Sequence, residues 1–311
     1  MVKNKIVIGT RSSKLALWQA EYIADCLKKK YPDKSIELVH ITTKGDRVLD
    51  VPLAKIGGKG LFTKELEMAM LDGTIDIAVH SLKDMPTVLP EGLQLAVISK
   101  RADVGDAFVS LKYNKFADLP AGAKVGTSSL RRKAQILHER PDLQICDLRG
   151  NVNTRLEKLE QGQFDAIILA AAGLKRLGYA DKIKEILNQK ICLPAVGQGA
   201  LAIEARAEDQ EILDLIEFLH DKETACATTA ERSFLARVEG GCQVPVGVYG
   251  KVVAGKLEVE AVMASVDGKT LLRDKVTGEL ADAKKLGKGI AEKLLDRGGL
   301  AIMQEIGLLT D

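Results

Sequence analysis

The chain has 311 residues, which is long for a single hydrophobic core, so two or three domains are expected. Its net charge of +2 and aromatic content of 4% argue against a surface built to bind nucleic acid. No stretch approaches the roughly 20 apolar residues of a membrane-spanning helix, and the N-terminus lacks the apolar run of a signal peptide. We therefore expect a folded cytoplasmic protein with no membrane segment.

The cysteines and histidines form no recognised pattern. The five cysteines, at positions 26, 146, 192, 226 and 242, are odd in number and have no close pair, so reduced thiols are expected. The four histidines are scattered, and no CxxC or HExxH spacing occurs. The sequence therefore predicts no metal site.

The first predicted elements are a strand over residues 5–9, a turn at Thr10–Ser13, and a helix whose apolar residues recur at helical spacing until Tyr31. Near residue 123 the same order returns, with a strand, a Gly-Thr-Ser-Ser turn and a helix closed by Pro141. Because strand, polar turn and helix repeat in one order, the two segments are predicted to fold alike.

The similarity between the two segments continues further along the chain. LVHITTKGD (38–46) resembles LQICDLRGN (143–151), and GTIDIAV (73–79) resembles GQFDAII (162–168). The matches are weak one by one, but they come in the same order. They predict two related α/β halves, each a βαβαβ unit with a largely parallel sheet.

Two extended segments, LQLAVISKR (93–101) and GALAIEARA (199–207), are predicted to connect the halves. Two crossings between similar lobes are typical of a hinged clamp with its ligand in the cleft, and the pattern resembles the type II periplasmic-binding-protein fold. One large sheet is the alternative.

After about residue 218 the pattern changes. A helix that ends at Gly240 and Gly241 is followed by three alternating segments and a last helix over about 280–297. Alternation is typical of antiparallel strands, so a small α+β domain with a three-stranded antiparallel sheet is predicted. The predicted division is lobe 1, 1–99 plus 200–217; lobe 2, 100–199; and a C-terminal domain, 218–311.

Both polar turns carry arginine beside a predicted helix start. Arg11 lies in the first turn, and Arg131 and Arg132 lie just inside the second helix. A helix N-terminus offers unpaired N–H groups, so these turns are candidate anion sites. Plain N-capping by serine is the alternative, and both can hold together.

Further charged residues follow predicted strand ends, where open α/β sheets bind ligands. The cations are Lys83, Arg149, Arg155 and Arg176, and Asp84 follows the strand of VHSLKDMP. Each alone is consistent with a solvated surface charge, and Asp84 with a structural ion-pair partner. As a set, the cations indicate a site for an anionic ligand.

Two glycine-rich segments do not match nucleotide motifs. IGGKGLF (56–62) lacks the GK[ST] ending of a phosphate-binding loop, which excludes nucleotide hydrolysis by that motif. GQGALA (197–202) fits GxGxxA, but a strand-like run follows it, whereas a dinucleotide site needs a helix there.

Cys242 differs from the other four cysteines, which lie in apolar helix or strand patterns. It stands in EGGCQVPVG, where two glycines let backbone and thiol approach another group closely. No base is apparent nearby, so the residues alone indicate an exposed cysteine rather than a reactive one.

Over nearly its whole length the chain resembles the porphobilinogen deaminase (hydroxymethylbilane synthase) family. The resemblance rests on IGTRSSKLALWQA, KGD, GGKGLFTKELE, VHSLKDMPT, VGTSSLRRKAQ, LRGNVNTRL, AAAGLKRLG, LPAVGQGALAIE and ERSFLARVEGGCQVPVG, which stand in the family's order.

The resemblance implies a transferase that deaminates four porphobilinogen molecules and joins them head to tail. The implied product is linear hydroxymethylbilane (preuroporphyrinogen), made with release of ammonia on the route to haem and other tetrapyrroles. A dipyrromethane cofactor, made from the substrate and bound by a thioether to Cys242, would serve as primer. The resemblance further implies a monomer whose partner is porphobilinogen, with no nucleic acid and no membrane.

The resemblance also assigns roles to residues. Asp84 would be catalytic, because its charge can stabilise the cationic azafulvene that remains when ammonia leaves. The implied cofactor contacts are Cys242, Lys83, Ser81, Thr127, Ser129, Arg131, Arg132, Asp46 and Gly150. The implied substrate contacts are Arg11, Ser13, Gln19, Arg149, Arg155, Arg176, Lys55, Lys59, Phe62 and Gln198, with Lys55, Lys59 and Phe62 on a covering loop.

A non-enzymatic two-lobed anion-binding or ligand-sensing module is the rival interpretation. It would share the lobes, the crossings and the anion-binding turns. It would not explain a third domain that presents a cysteine between glycines, or Asp84 in a cationic cleft.

Overall fold

The computed structural model describes residues 3–47, 62–238 and 244–307. The chain divides into two compact units. The first unit is Met1–Arg101 with Ala200–Ala225, and the second unit is Ala102–Gly199 with Cys226–Asp311. Lobe 2 and the C-terminal part thus fall in one unit, and the three-domain division with its boundary at residue 218 stays a prediction. None of the helices in the described ranges is long and apolar enough to cross a membrane.

The regular elements are numbered here in chain order. The strands are β1 (Lys5–Thr10), β2 (Ser35–His40), β3 (Ile77–Ser81), β4 (Leu93–Ile98), β5 (Asp106–Val109), β6 (Lys124–Gly126), β7 (Gln144–Cys146), β8 (Ala166–Ala170), β9 (Glu185–Ile186), β10 (Leu201–Arg206), β11 (Val246–Val253), β12 (Lys256–Ala264) and β13 (Leu271–Glu279). The helices are α1 (Lys14–Lys30), α2 (Lys44–Arg47), α3 (Lys64–Leu71), α4 (Leu130–Glu139), α5 (Val152–Glu160), α6 (Ala171–Arg176), α7 (Gln210–Ile216), α8 (Lys222–Arg237), α9 (Ala283–Leu294) and α10 (Leu300–Glu305).

The first unit contains a five-stranded sheet in the order β2-β1-β3-β10-β4. Strands β2, β1 and β3 are parallel, whereas β10 runs antiparallel to both β3 and β4. The segments predicted as extended connectors are therefore sheet strands, with β4 at the edge and β10 beside β3. Apolar residues of α1 and α7 cover one face, and those of α3 cover the other.

The second unit repeats this arrangement in its own sheet, whose order is β7-β6-β8-β5-β9. Strands β7, β6 and β8 are parallel, and β5 is antiparallel to β8 and β9. Strand order and directions match the first sheet position by position. The predicted pair of related α/β halves is confirmed; the hinge and the cleft stay predictions.

The strand registers define equivalent positions in the two sheets. Gly9 of the IGT segment pairs with Ala78, and Gly126 of the matching VGT segment pairs with Ile167. An aspartate at the equivalent position of each sheet makes the same hydrogen bond. Asp76 Oδ2 accepts the Val7 N–H at 2.8 Å, and Asp165 Oδ2 accepts the Lys124 N–H at 2.9 Å. These shared bonds explain why Gly-x-apolar-Asp recurs in the sequence.

The C-terminal part of the second unit contains the predicted three-stranded antiparallel sheet, β11-β12-β13. Helices α8 and α9 supply the apolar side chains Phe234 and Ile290, which pack with Val248 and Val259 of the sheet in one core. After α9 the chain turns at Gly298, whose φ of +114° favours glycine, before α10 begins.

Candidate functional site

A pocket of about 70 Å³ lies in the first unit where β1 and β3 end. Its lining brings together Arg11, Ser13, Gln19, Phe62, Ser81 and Asp84, with Leu15, Ala16, Thr63, Val79 and His80. The carboxyl ends of neighbouring parallel strands meet at one edge of a sheet, which is why residues far apart in sequence converge here. Among the described residues, this pocket is where the predicted site residues of the first unit gather.

Local contacts hold the polar side chains of this pocket in place. Ser13 caps α1, since its Oγ accepts the Ala16 N–H at 3.3 Å. Gln19 is buried, and its Nε2 donates to Ser81 Oγ at 2.8 Å. The Arg11 guanidinium lies 4.2 Å from the ring centroid of Phe62, a cation–π contact. The N-capping interpretation of Ser13 is therefore correct, and Arg11 lies at the pocket with the capped helix.

Asp84 and Lys83 lie on a single 3₁₀ turn, Leu82–Asp84, that follows β3 directly. Leu82 anchors the turn, because its side chain is buried and its N–H donates to Ala200 O at 3.0 Å. Asp84 is exposed and Lys83 is half-buried. The carboxylate thus stands at the rim of the pocket on a well-anchored turn.

The second polar turn caps α4 in the second unit. Ser129 Oγ accepts the Arg132 N–H at 3.5 Å, and Thr127 Oγ1 accepts the Ser129 N–H at 3.3 Å. Thr127 is buried, and its own N–H donates to Cys146 O at 2.9 Å. Serine capping, the simpler interpretation, therefore applies to this turn as well.

Arg131 and Arg132 are both buried and both bind Asp106, the first residue of β5. Arg131 Nη1 donates to Asp106 Oδ2 at 2.6 Å, and Arg132 Nη2 donates to Oδ1 at 2.7 Å. Burial alone would raise the pKa of Asp106, but the two guanidinium charges outweigh it and hold that pKa well below its usual range. Asp106 was not predicted from the sequence, because it precedes an apolar run and belongs to no recognisable motif.

The GQGALA segment is part of the same buried network. Gln198 Nε2 donates to Asp106 Oδ1 at 3.1 Å and to Val104 O at 2.8 Å. Arg176 Nη2 donates to Gly199 O at 2.7 Å. Gly199 has φ of +93°, and a Cβ there would lie 2.8 Å from Ala102 O. The glycine is needed because two chain segments pass closely at this point.

The remaining described cations lie on the loop between β7 and α5 and at the start of α5. Gly150 has φ of +109°, and its carbonyl accepts the Arg155 Nε–H at 2.7 Å. Lys158 Nζ donates to Arg149 O at 3.2 Å, and Asn151 caps α5 through the Thr154 N–H at 3.0 Å. Arg149 thus lies on the loop and Arg155 in α5, and hydrogen bonds join the loop to the helix.

Several predicted site residues lie outside the described part of the chain. Cys242, Lys55 and Lys59 are among them, as is the side chain of Asp46. Of the described cysteines, Cys192 is buried, and burial together with Asp106 raises the pKa of its thiol to about 12. Within the described ranges, no group of His, Cys, Asp and Glu is arranged to hold a metal ion.

The fold and the pocket define a class, an α/β protein with two related sheets and a pocket lined by an arginine and a carboxylate. Residues 6–214 match the family model "Porphobilinogen deaminase, dipyromethane cofactor binding domain", and residues 225–296 match "Porphobilinogen deaminase, C-terminal domain". The chain therefore belongs to the porphobilinogen deaminase family, as the sequence motifs predicted.

Curated relatives agree over almost the full length. The chain is 53% identical over 306 residues to the porphobilinogen deaminase of Geotalea daltonii, covering 98% of this chain and 96% of that protein. It is 52% identical to that of Desulforamulus reducens, with 98% and 99% covered. Among solved structures, the methionine binding protein MetQ matches with a TM-score of 0.44 and 16% identity over 69% of this chain and 87% of that one.

Proposed function

We propose that this enzyme deaminates porphobilinogen and joins four molecules head to tail into linear hydroxymethylbilane, with release of ammonia. The observation that carries the proposal is the pocket of the first unit, where Asp84, Arg11 and Ser81 share one lining. Each pyrrole of porphobilinogen carries carboxylates, and loss of ammonia leaves a cationic ring. A site with both charge signs can therefore bind the substrate and stabilise the cation.

The donors on this chain fit a dipyrromethane cofactor, whose acetate and propionate groups require cations and hydroxyl or N–H donors. The described contacts of Arg131 and Arg132 to Asp106, Leu193 and Ile168 use some of the five N–H groups on each guanidinium and leave others for a further acceptor. When bound, the cofactor supplies the primer ring to which the first pyrrole is added.

We assign the cofactor contacts as the sequence predicted them. The proposed set is the thioether at Cys242 with Ser81, Lys83, Thr127, Ser129, Arg131, Arg132, Asp46 and Gly150. Arg131 and Arg132 are suited to a permanent anionic group, because Asp106 fixes their orientation before any ligand arrives.

The proposed substrate contacts are Arg11, Ser13, Gln19, Arg149, Arg155, Arg176, Lys55, Lys59, Phe62 and Gln198. In the pocket, Arg11 stacked on Phe62 would hold a substrate carboxylate, and Gln19 would orient the Ser81 hydroxyl. The Asp84 carboxylate would stabilise the cation. We further propose that the enzyme works as a monomer in the cytoplasm.

Intact-mass measurement tests the cofactor assignment. Wild-type protein should be heavier than its sequence by one dipyrromethane unit, and Cys242→Ala should have the bare mass. The adduct retained on Cys242→Ala would contradict the assignment. Cys226→Ala, on α8, serves as the control and should keep the added mass.

A colour test separates the enzyme from a two-lobed binding module. Purified protein should react with acidic dimethylaminobenzaldehyde, a pyrrole reagent, without added ligand, and should release ammonia from porphobilinogen. A binding module would do neither.

A further inference from the structure

A buried group of two carboxyls and one imidazole lies beside the pocket of the first unit. His80 Nε2 is 3.2 Å from Glu204 Oε2, and the two side chains are 6% and 0% exposed. Glu67 of α3 is also buried. Neither oxygen of Glu204, nor Glu67 Oε1, has a hydrogen-bond partner in the described part of the chain. Buried carboxyls are normally hydrogen-bonded, so this group requires an explanation.

The second unit shows that the fold does not need these charges. His80 pairs with Ala202 as Leu169 pairs with Ala107, so His80 and Leu169 occupy equivalent positions. Glu204 pairs with Ala78 as Val109 pairs with Ile167. The second sheet therefore has leucine and valine where the first has histidine and glutamate.

The third member follows the same rule. Glu67 precedes Asp76 by the same number of residues as Leu156 precedes the equivalent Asp165. Both segments turn at a glycine of positive φ, Gly73 or Gly162, so Glu67 and Leu156 occupy equivalent positions. Leu156, Leu169 and Val109 are packed in one hydrophobic cluster. Since apolar residues close the equivalent space in the second unit, the acidic group costs stability that the fold alone does not require.

The position of His80 connects this group to the pocket. His80 lines the pocket together with Ser81 and Asp84. The Nε2 edge faces Glu204 at ion-pair distance without hydrogen-bond alignment, a geometry common in enzymes before substrate binds. A carboxylate at Nε2 favours the proton on that nitrogen, which makes Nδ1 the basic atom.

The chemistry under the proposed function needs such a base. When two pyrrole rings couple, a carbon–carbon bond forms at the free α-carbon of one ring. The C–H bond at that carbon then breaks, its electron pair returns to the ring, and a proton leaves. Asp84 stabilises the cationic partner through its carboxylate, and a separate group that takes the proton lets Asp84 keep that role.

We propose that His80 accepts, at Nδ1, the ring proton that each coupling releases, and that Glu204 is the positioning residue that orients the imidazole through Nε2. The inference rests on the proposed function, because the proton comes from porphobilinogen-derived rings. From Nδ1 the proton passes to water in the pocket, and the pair is restored for the next ring.

Two acidic residues interact with His80, Glu204 of β10 at 3.2 Å and Glu67 of α3. Arg11 and Asp84 line the same pocket as His80. Burial raises the pKa of the Glu67 carboxyl, the Thr63 hydroxyl and His80 oppose the rise, and Glu204 adds to it. Burial therefore disfavours the charged form of Glu67, and Glu204 is the carboxyl that lies within ion-pair distance of His80.

An isotope effect tests the role of His80. Cofactor-loaded wild type and His80→Gln are compared on porphobilinogen with hydrogen or deuterium at the free α-carbon. Turnover by His80→Gln should fall by about 10²- to 10⁴-fold. Its deuterium effect should exceed that of wild type, because C–H cleavage becomes the slow step. A slow variant with an unchanged isotope effect, or a variant of normal rate, overturns the inference.

His220→Gln is the matched control. His220 is a structural histidine of the same unit, whose Nδ1 accepts the Ile98 N–H at 3.3 Å. Its loss should lower stability and leave the isotope effect as in wild type; a raised effect would overturn the inference. If wild type itself does not consume porphobilinogen, the proposed function fails; consumption with an unchanged isotope effect in His80→Gln overturns the inference alone.

A triple replacement separates folding from chemistry. Glu67→Leu, His80→Leu and Glu204→Val together copy the second unit at all three positions. The triple variant should melt no lower than wild type, because buried charges are exchanged for apolar side chains. It should also lose about as much turnover as His80→Gln. Turnover near the wild-type rate would overturn the proposal.

Nitrogen NMR of the imidazole provides a readout independent of turnover. In the cofactor-loaded protein at neutral pH, the His80 signals, assigned by their loss in His80→Gln, should report a proton on Nε2. Glu204→Gln should shift the Nε2 signal. A neutral ring protonated on Nδ1 would contradict the proposed base.

Discussion

The two sheets share strand order, strand directions and register, but the positions that carry buried charges in one sheet carry apolar residues in the other. The first unit has His80, Glu204 and Glu67 where the second unit has apolar residues. The second unit has Asp106 opposite Ala170, whereas the equivalent residue of the first, opposite Ser81, is the buried Leu201. The same backbone arrangement thus carries different buried polar residues in each unit, and these residues determine what each unit can bind.

This difference also explains the arginines. A guanidinium is buried only where a counter-charge meets it. Asp106 supplies that charge in the second unit, and Arg131 and Arg132 are buried against it. Leu201 offers none at the equivalent position, and Arg11 lies half-buried on the Phe62 ring at the pocket. The two turns therefore differ in their electrostatics: one unit has two buried arginines paired with Asp106, and the other has a half-buried arginine at the pocket.

Replacing Asp106 by leucine, which copies the first unit, should have the largest effect on stability. Arg131 and Arg132 would stay buried without their carboxylate, so the free energy of unfolding should fall by about 3–5 kcal/mol. Urea unfolding measures the change. Asp103→Asn is the control, since the half-exposed Asp103–Lys175 pair contributes only about 0–1 kcal/mol. A loss below about 1 kcal/mol for Asp106→Leu would contradict the comparison.

Alanine at three glycines should rank next. Gly73 and Gly162 are equivalent turns with φ of +79° and +74° and open space around them, so each alanine should cost about 1–2 kcal/mol. Gly199→Ala adds a clash with Ala102 O and should cost about 1–3 kcal/mol more. Thermal unfolding of the three variants checks the order. Unequal costs at Gly73 and Gly162 would show that the two turns are not equivalent.

The paired aspartates should give a smaller, unequal effect. Asp76 and Asp165 bind the same strand N–H, but Asp76 also lies 2.6 Å from Lys3 Nζ and 3.1 Å from Arg206 Nη2. Within the described residues, Asp165 has one ion pair, with the exposed Lys112 at 3.5 Å. Asp76→Asn should therefore lower the free energy of unfolding by about 1–3 kcal/mol, and Asp165→Asn by about 0–1 kcal/mol. Equal losses would mean that the additional ion pairs contribute nothing.

Thiol labelling should show the smallest response. Because the pKa of Cys192 is raised to about 12, roughly one molecule in 10⁴ carries its thiolate at pH 8. Native protein should not be alkylated at Cys192 by iodoacetamide, as peptide mass mapping would show, whereas unfolded protein should be. Labelling in the native state would indicate that the Asp106 network opens.

Periodicity and repeated motifs predicted the two sheets because local alternation and turn residues determine strand, turn and helix. They did not predict that β4 and β10 are sheet strands, since an extended segment carries no sign of which strand it will pair with. The Asp106 network and the His80–Glu204 pair were missed for the same reason. Glu204 meets His80 only through the β3–β10 pairing, which no local sequence pattern specifies.

The position of β10 also bears on how the chain is made. It lies between β3 and β4, yet it is synthesised only after the whole of residues 102–199. The second sheet, from Asp106 to Ile186, comes from one continuous stretch and can close while the ribosome is still at work. Until β10 emerges, β3 and β4 each expose an unpaired edge, the template on which nascent chains aggregate or recruit chaperones. Of the two five-stranded sheets, the one encoded first is therefore completed second.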